Sequence, residues 1–121
     1  METKKIYCLS TCDTCKQVLK DIQAKKKGFS LQDIKTEKVS PAQLDEMKRM
    51  AGSYEALFSR RAMKYKELGL KDKNLGENDF RKLILEEYTF LKRPVVIVHK
   101  KIFVGSEKKT LAALKLAIEK K

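Results

Sequence analysis

The sequence predicts an α/β fold, a mixed four-stranded sheet with a helical block inserted between its second and third strands. Three features predict it. A short apolar run near the N-terminus leads into an amphipathic helical pattern. A proline-capped helical stretch occupies about residues 40–92. An apolar run after Arg93-Pro94 then reads as two strands in succession.

Lys5–Leu9 is rich in strand formers and reads as the first strand. After a turn at Ser10–Thr11, Cys15, Val18, Leu19 and Ile22 recur at i, i+3, i+4 and i+7. That spacing predicts a helix with one buried face, ending near Gly28. Phe29–Ile34 alternates weakly and suits a second strand. Ser40-Pro41-Ala42-Gln43 then supplies an N-cap, a proline at the first helical position and a glutamine at the capping-box position. The helix that follows runs to about Ala51, with Leu44 and Met47 inward.

From Ser53 to about Lys92 the pattern stays helical. Tyr54, Leu57, Phe58, Tyr65 and Leu68 form one stripe. After a break at Asn74-Leu75-Gly76, Phe80, Leu83, Ile84, Tyr88 and Leu91 form another. Arg93-Pro94 ends the block. "PVVIVHKKIFVG" reads as two strands joined by a tight turn near His99–Lys100. Val95–Val98 lacks alternation, as a strand covered on both faces would. Ser106 is placed to cap a last helix with Leu111, Leu114 and Ile118 inward. The βαβ start implies a parallel pair and the terminal hairpin an antiparallel one. This order fits a thioredoxin-like sheet in a single domain over 1–121.

The bulk numbers narrow the function. A chain of 121 residues, 42% of them hydrophobic, is one domain able to bury a core without disulfide staples. Met1–Lys5 is charged and Ile6–Leu9 is too short for a signal-peptide core. No apolar run approaches a membrane span. The expected compartment is the cytoplasm, without membrane association, where clustered thiols do metal or redox work. Twenty-eight basic against sixteen acidic residues give a formal charge of +12, a field that attracts nucleic acid, phosphate or small oxyanions. The lysines are scattered, however, without the aromatic–basic interleaving of a single-strand binder, so the charge reads first as solubility.

All three cysteines fall in "CLSTCDTC", where Cys8, Cys12 and Cys15 are spaced C-x3-C-x2-C. Radical enzymes hold a four-iron cluster with this spacing, but on one loop of a far larger barrel; here Cys8 falls in a strand and Cys15 on a helical face. A zinc site would need His99 as its fourth ligand, and no second C-x2-C closes it. No metal is therefore expected. What remains is thiol–disulfide exchange. Cys12 stands at a strand-to-helix junction where unpaired N–H groups favour a thiolate, with Cys15 one turn on within disulfide reach. Cys8 reads as a small apolar residue on a buried strand.

"YCLSTCDTCK", "YKELGL" at 65–70 and "RPVVIV" at 93–98 together resemble the ArsC/Spx family of glutaredoxin-like proteins, over essentially the whole chain. That family includes glutathione-dependent arsenate reductases and the redox-sensing regulator Spx. The resemblance implies that Cys12 is the nucleophile, with Pro94 a cis-proline facing it and Arg93 helping to hold an oxyanion. Cys15 would be the resolving thiol. A guanidinium fork suits such oxygens. A second arginine comes from "FSRRAMKY", which offers Arg60 or Arg61; Arg61 is preferred because it falls on the apolar stripe and matches Spx-like members.

The implied activity is a thiol-dependent, arsenate-reductase-like oxidoreductase acting on a small oxyanion or a disulfide. It would bind no cofactor and would draw on an external thiol donor, glutathione with glutaredoxin or thioredoxin. The alternative is an Spx-like redox sensor that binds RNA polymerase. Two departures bear on the choice. Gly105 and Ser106 stand where arsenate reductases of this type carry a third arginine, and Cys15 is a second thiol that they usually lack. Spx proteins share the C-x2-C but extend beyond the last helix in a further tail.

Overall fold

The computed structural model describes residues 4–9, 11–24 and 26–119, the last by its backbone alone. Ser10 of the expected turn lies outside these. In chain order the elements are β1 Lys4–Cys8, α1 Asp13–Asp21, β2 Ser30–Asp33, α2 Pro41–Ala51, α3 Met63–Glu67, α4 Glu77–Glu86, β3 Val95–Val98, β4 Lys101–Val104 and α5 Lys108–Glu119. Single turns of 3-10 helix lie at Glu55–Leu57, Leu70–Asp72 and Tyr88–Phe90. The chain divides into two compact units, Met1–Glu37 with Arg93–Lys121, and Lys38–Lys92.

The first unit carries the sheet, in the order β2-β1-β3-β4. β1 runs parallel to β2 and antiparallel to β3, and β3 pairs antiparallel with β4. The sheet is therefore mixed, as the βαβ start and the terminal hairpin require. All four residues of β3 are buried, which is why that strand shows no alternation. Ile6, Val18, Ile34, Val95, Val96 and Leu114 close the core of this unit. The hairpin turns over His99–Lys100, with His99 at φ 59°.

Local chemistry moves several boundaries. β1 stops at Cys8 because the Leu9 carbonyl leaves the ladder to accept the Cys12 N–H at 2.9 Å. α1 ends at Asp21, well before Gly28. Its stop is a Schellman motif: Gln23 N–H bonds to Lys20 C=O at 3.2 Å and Ala24 N–H to Leu19 C=O at 3.0 Å. Gln23 takes the left-handed position, φ 52°, where glycine is usual, so no glycine marks the end in the sequence. α5 begins at Lys108, its first turn closed by Leu111 N–H on the Glu107 carbonyl at 2.9 Å. Ser106 lies two residues before the first residue of α5.

In the second unit α2 starts as its sequence dictates. Ser40 Oγ accepts the Gln43 N–H at 3.1 Å, and Gln43 Oε1 accepts the Ser40 N–H at 3.0 Å. The stretch after it is not one helical run but short pieces. Gly69 at φ 63° and the non-helical residues before Glu77 interrupt it, and tertiary bonds replace the missing helical ones. Phe58 bridges to Leu91 as an isolated antiparallel pair, Ser59 N–H reaches Phe90 C=O at 2.6 Å, and Lys92 N–H reaches Leu57 C=O at 2.8 Å. Phe58 centres the core of this unit, its ring stacked on Phe90 at 5.0 Å and tilted on Phe80 at 4.8 Å. The Arg81 guanidinium clasps the Asp45 carboxylate, Nε to Oδ1 at 2.8 Å, tying α4 to α2. The apolar spacing read as one stripe thus belongs to several short elements, and Leu68 is 48% exposed.

Candidate functional site: a cysteine pair at a helix head

β1 delivers the chain to the sheet's end, and the turn closed on Leu9 sets Cys12 at the N-cap of α1 with extended backbone, φ −92° and ψ 117°. Cys12 is half-buried, whereas Cys15, inside the first helical turn, is 0% exposed. Both are free thiols. Asp13 and Thr14 between them face solvent, so the buried member of the pair is the one on the apolar face of α1.

The two sulfurs are driven apart in acidity. For Cys12, burial works against ionisation, but the Cys15 N–H, the Cys15 thiol, the Thr14 N–H and the Arg93 charge outweigh it, so its thiol lies below the ordinary value. These amides are the N2 and N3 donors of the helix; they point their positive ends at the sulfur without the full geometry of a capping hydrogen bond. For Cys15, burial dominates. With the Cys12 charge added, and the favourable Leu9 N–H insufficient to offset them, its thiol is pushed up to about 12. Cys8, buried at the end of β1, is also raised, first by burial and then by Asp33 and Cys12. Of the three sulfurs, Cys12 alone is shifted toward the thiolate, while Cys8 and Cys15 are shifted toward the thiol.

Arg93 and Pro94 enter from the residues before β3. The Arg93–Pro94 peptide is cis, Pro94 is buried, and its carbonyl accepts the Gly105 N–H at 2.9 Å, which ties the segment to the end of β4. Arg93 is half-buried with its Nε shut off from solvent, and its charge reaches Cys12. Cys12, Cys15, Arg93 and Pro94 all belong to the unit that carries the sheet.

Arg60 and Arg61 belong to the other unit, in the turn before α3 and not on a helical stripe. Arg60 pairs with Glu55, Nη2 to Oε2 at 2.8 Å, and its guanidinium lies 5.6 Å from the centre of the Phe80 ring. Arg61 is exposed. The Thr14 and Cys15 N–H groups are the helix-head donors that the strand-to-helix junction implies, whereas the Leu9 donor and the Gly105 anchor leave no signature in residue type. Among the described residues no three His, Cys, Asp or Glu side chains are grouped to hold a metal ion, and no helix is long and apolar enough to cross a membrane.

A cysteine at the head of the first helix, set in a mixed β2-β1-β3-β4 sheet with a cis-proline before β3, defines a thioredoxin-like α/β fold. A model of the ArsC family matches residues 7–114, and the chain belongs to that family. It is 22% identical over 102 residues to the global transcriptional regulator Spx 2 of Bacillus anthracis, covering 83% of this chain and 77% of the relative. Among solved structures it resembles the arsenate reductase from Vibrio cholerae, with a TM-score of 0.75 at 17% identity over 93% of this chain and 98% of that one. An arsenate reductase related protein from Brucella melitensis superposes with a TM-score of 0.71 at 24% identity, covering 92% of each chain. At these identities the structural likeness is one of fold.

Proposed function

We propose that this chain is a cytoplasmic thiol-dependent oxidoreductase of the arsenate-reductase type, with Cys12 as nucleophile and Cys15 as resolving thiol. The observation that carries the reading is the opposed acidity of the two sulfurs at one helix head, with the Arg93 charge favouring ionisation of Cys12. A thiolate is the reactive form of cysteine, and a neighbouring buried thiol is its natural second partner.

With arsenate, the Cys12 thiolate attacks arsenic and a hydroxyl, taking a proton from solvent, leaves as water, giving a Cys12–S–As bond. Arg93 and the helix amides neutralise the oxyanion, with Arg61 or Arg60 as the second guanidinium. Cys15 then attacks the Cys12 sulfur, the S–As bond breaks, and its electron pair stays on arsenic, which departs as arsenite. The two electrons come from the two thiols, which end as a disulfide. Covalent capture of Cys12 removes the negative charge that helps to raise Cys15, so the second thiol becomes easier to ionise when it is needed. Glutathione attacking in place of Cys15 gives the same balance. Glutaredoxin or thioredoxin returns the disulfide to dithiol; no bound metal or organic cofactor takes part. With a disulfide substrate the same attack releases a thiolate and passes through a mixed disulfide.

Gly105 in place of a third arginine weakens the case for arsenate itself and favours a disulfide or another oxyanion. The test is turnover of arsenate and of a glutathione mixed disulfide by the wild type and by Cys12→Ser. Loss of both activities in the variant supports the assignment; undiminished turnover overturns it.

A second reading is favoured by the likeness to the Spx regulator together with the C-x2-C pair. There the Cys12–Cys15 disulfide is a switch and RNA polymerase the partner. Capture of polymerase by one redox form only, with no turnover, selects this reading over the first.

A further inference from the structure

Away from the thiols, the first unit has a groove of about 440 Å³ where the C-terminal end of α1 meets β2, lined among the described residues by Leu19, Lys20, Gln23, Ala24, Lys26 and Leu31. Its floor is apolar: Leu19 and Ala24 are the contact pair of the Schellman stop, and Leu31 stands 40% exposed on the strand beside them. Its rim is cationic. Between residues 16 and 35 the sequence carries six lysines (16, 20, 25, 26, 27 and 35) against two aspartates, Asp21 and Asp33. Neither aspartate lines the groove. Asp21 accepts from the Gln17 amide at 2.8 Å, and Asp33 accepts the Lys35 N–H at 3.1 Å. β2 is an edge strand, paired on one side with β1.

We propose that this groove receives an acidic segment of a partner protein that inserts a leucine-sized side chain over Leu31 and Ala24, its carboxylates meeting Lys20 and Lys26. An apolar floor with a rim of one charge selects for an apolar anchor flanked by the opposite charge. An edge strand is the side of a sheet to which an extended segment adds. The other occupants fit less well. A second copy of this chain brings the same charge, +12, to a lysine-rimmed site. Nucleic acid would find no aromatic platform among the lining residues. A bilayer is met by a convex apolar wedge, not by a groove.

The groove is separate from Cys12, so the inference stands or falls independently of the redox reading. The experiment titrates the full chain with a synthetic peptide of alternating glutamate and leucine, followed by backbone amide NMR shifts. Control peptides carry serine for each leucine, or lysine for each glutamate. Saturable shifts centred on Leu19, Gln23, Ala24 and Leu31 are expected. Affinity falls by about tenfold or more in Leu31→Glu, in the pair Lys20→Glu/Lys26→Glu, and with the serine peptide. Cys12→Ser and the exposed α5 pair Lys109→Glu/Lys115→Glu bind as the wild type does. Should Leu31→Glu fail to fold, the lysine pair and the serine peptide decide alone. Equal binding of the serine peptide, equal loss in the α5 pair, or shifts centred elsewhere overturns the proposal. So does self-association through these amides, or binding to anionic vesicles in preference to the peptide.

Discussion

The hydrogen bond between the Cys15 thiol and the Cys12 sulfur lowers the Cys12 pKa and, after burial, helps to raise that of Cys15. A symmetrical dithiol would share one proton between equivalent sites. Here burial separates the roles: Cys15 is enclosed and Cys12 stands half-open at the helix head. The lowered pKa therefore falls on the more exposed of the two sulfurs.

Limited alkylation with iodoacetamide at neutral pH should mark Cys12 first. Cys8 and Cys15, both buried and both raised in pKa, should react only when the chain is denatured. Peptide mapping by mass spectrometry reads the order. Early labelling of Cys15 would show that the buried thiol is accessible and would contradict the assignment of roles.

Arg93→Ala removes a positive charge that favours the Cys12 thiolate, so the midpoint of Cys12 alkylation should move to higher pH. Cys15→Ala, which removes a donor to the same sulfur, should move it the same way. Arg93→Lys should restore part of the Arg93 effect, since it returns the charge without the fork. A fall in the midpoint in either alanine variant would mean that the sulfur is stabilised by other groups.

Two backbone positions make stability predictions of opposite sign. Gln23 at φ 52° bears the left-handed penalty of a side chain, about 1–2 kcal/mol, against about 0.5–1 kcal/mol of extra chain entropy for glycine. Gln23→Gly should therefore stabilise by up to about 1 kcal/mol in urea denaturation. Gly105 sits at φ 91° with open space where a Cβ would go. Gly105→Ala should cost about 1–2 kcal/mol from backbone strain alone. The Gly105 N–H holds the Pro94 carbonyl, so the same variant should also disturb the cysteine pair, read as a shifted alkylation midpoint.

The Arg81 clasp holds the Asp45 carboxyl down to about 2, chiefly through their hydrogen bond and then that of Tyr54. A carboxyl depressed in the folded chain adds stability above its unfolded value, near 3.8, and loses it as pH falls toward 2. Arg81→Ala should flatten the stability curve across that acid interval and leave its slope above pH 5 unchanged. Both partners are solvent-exposed, so the effect is small and shrinks with salt. An unchanged acid limb would show that the pair does not act on folding.

The strands and the placement of the cysteine pair are legible in the sequence because both rest on residue type. β3 announced itself by four consecutive apolar residues, the start of α2 by Ser40, Pro41 and Gln43, and the site by Cys12 and Cys15 at a strand-to-helix junction. What stayed hidden depends on backbone conformation or on distant partners. Gln23 ends α1 in a conformation that its residue type does not advertise. The stretch from Ser53 to Lys92 keeps helical spacing while Phe58, Ser59 and Lys92 spend their backbone groups on tertiary bonds. Arg61 keeps helical spacing to Tyr54 and Tyr65 although no continuous helix joins them. Arg60, its neighbour, answers to Glu55 and the Phe80 ring, neither of which periodicity relates to it.

The central claim is that the Cys12 sulfur ionises more readily than an ordinary cysteine, and the rate of its alkylation as a function of pH tests it most directly. The account predicts a sigmoid with a midpoint clearly below the ~8.5 of an ordinary cysteine, moved upward in Arg93→Ala. A midpoint at or above that value in the wild type would contradict it.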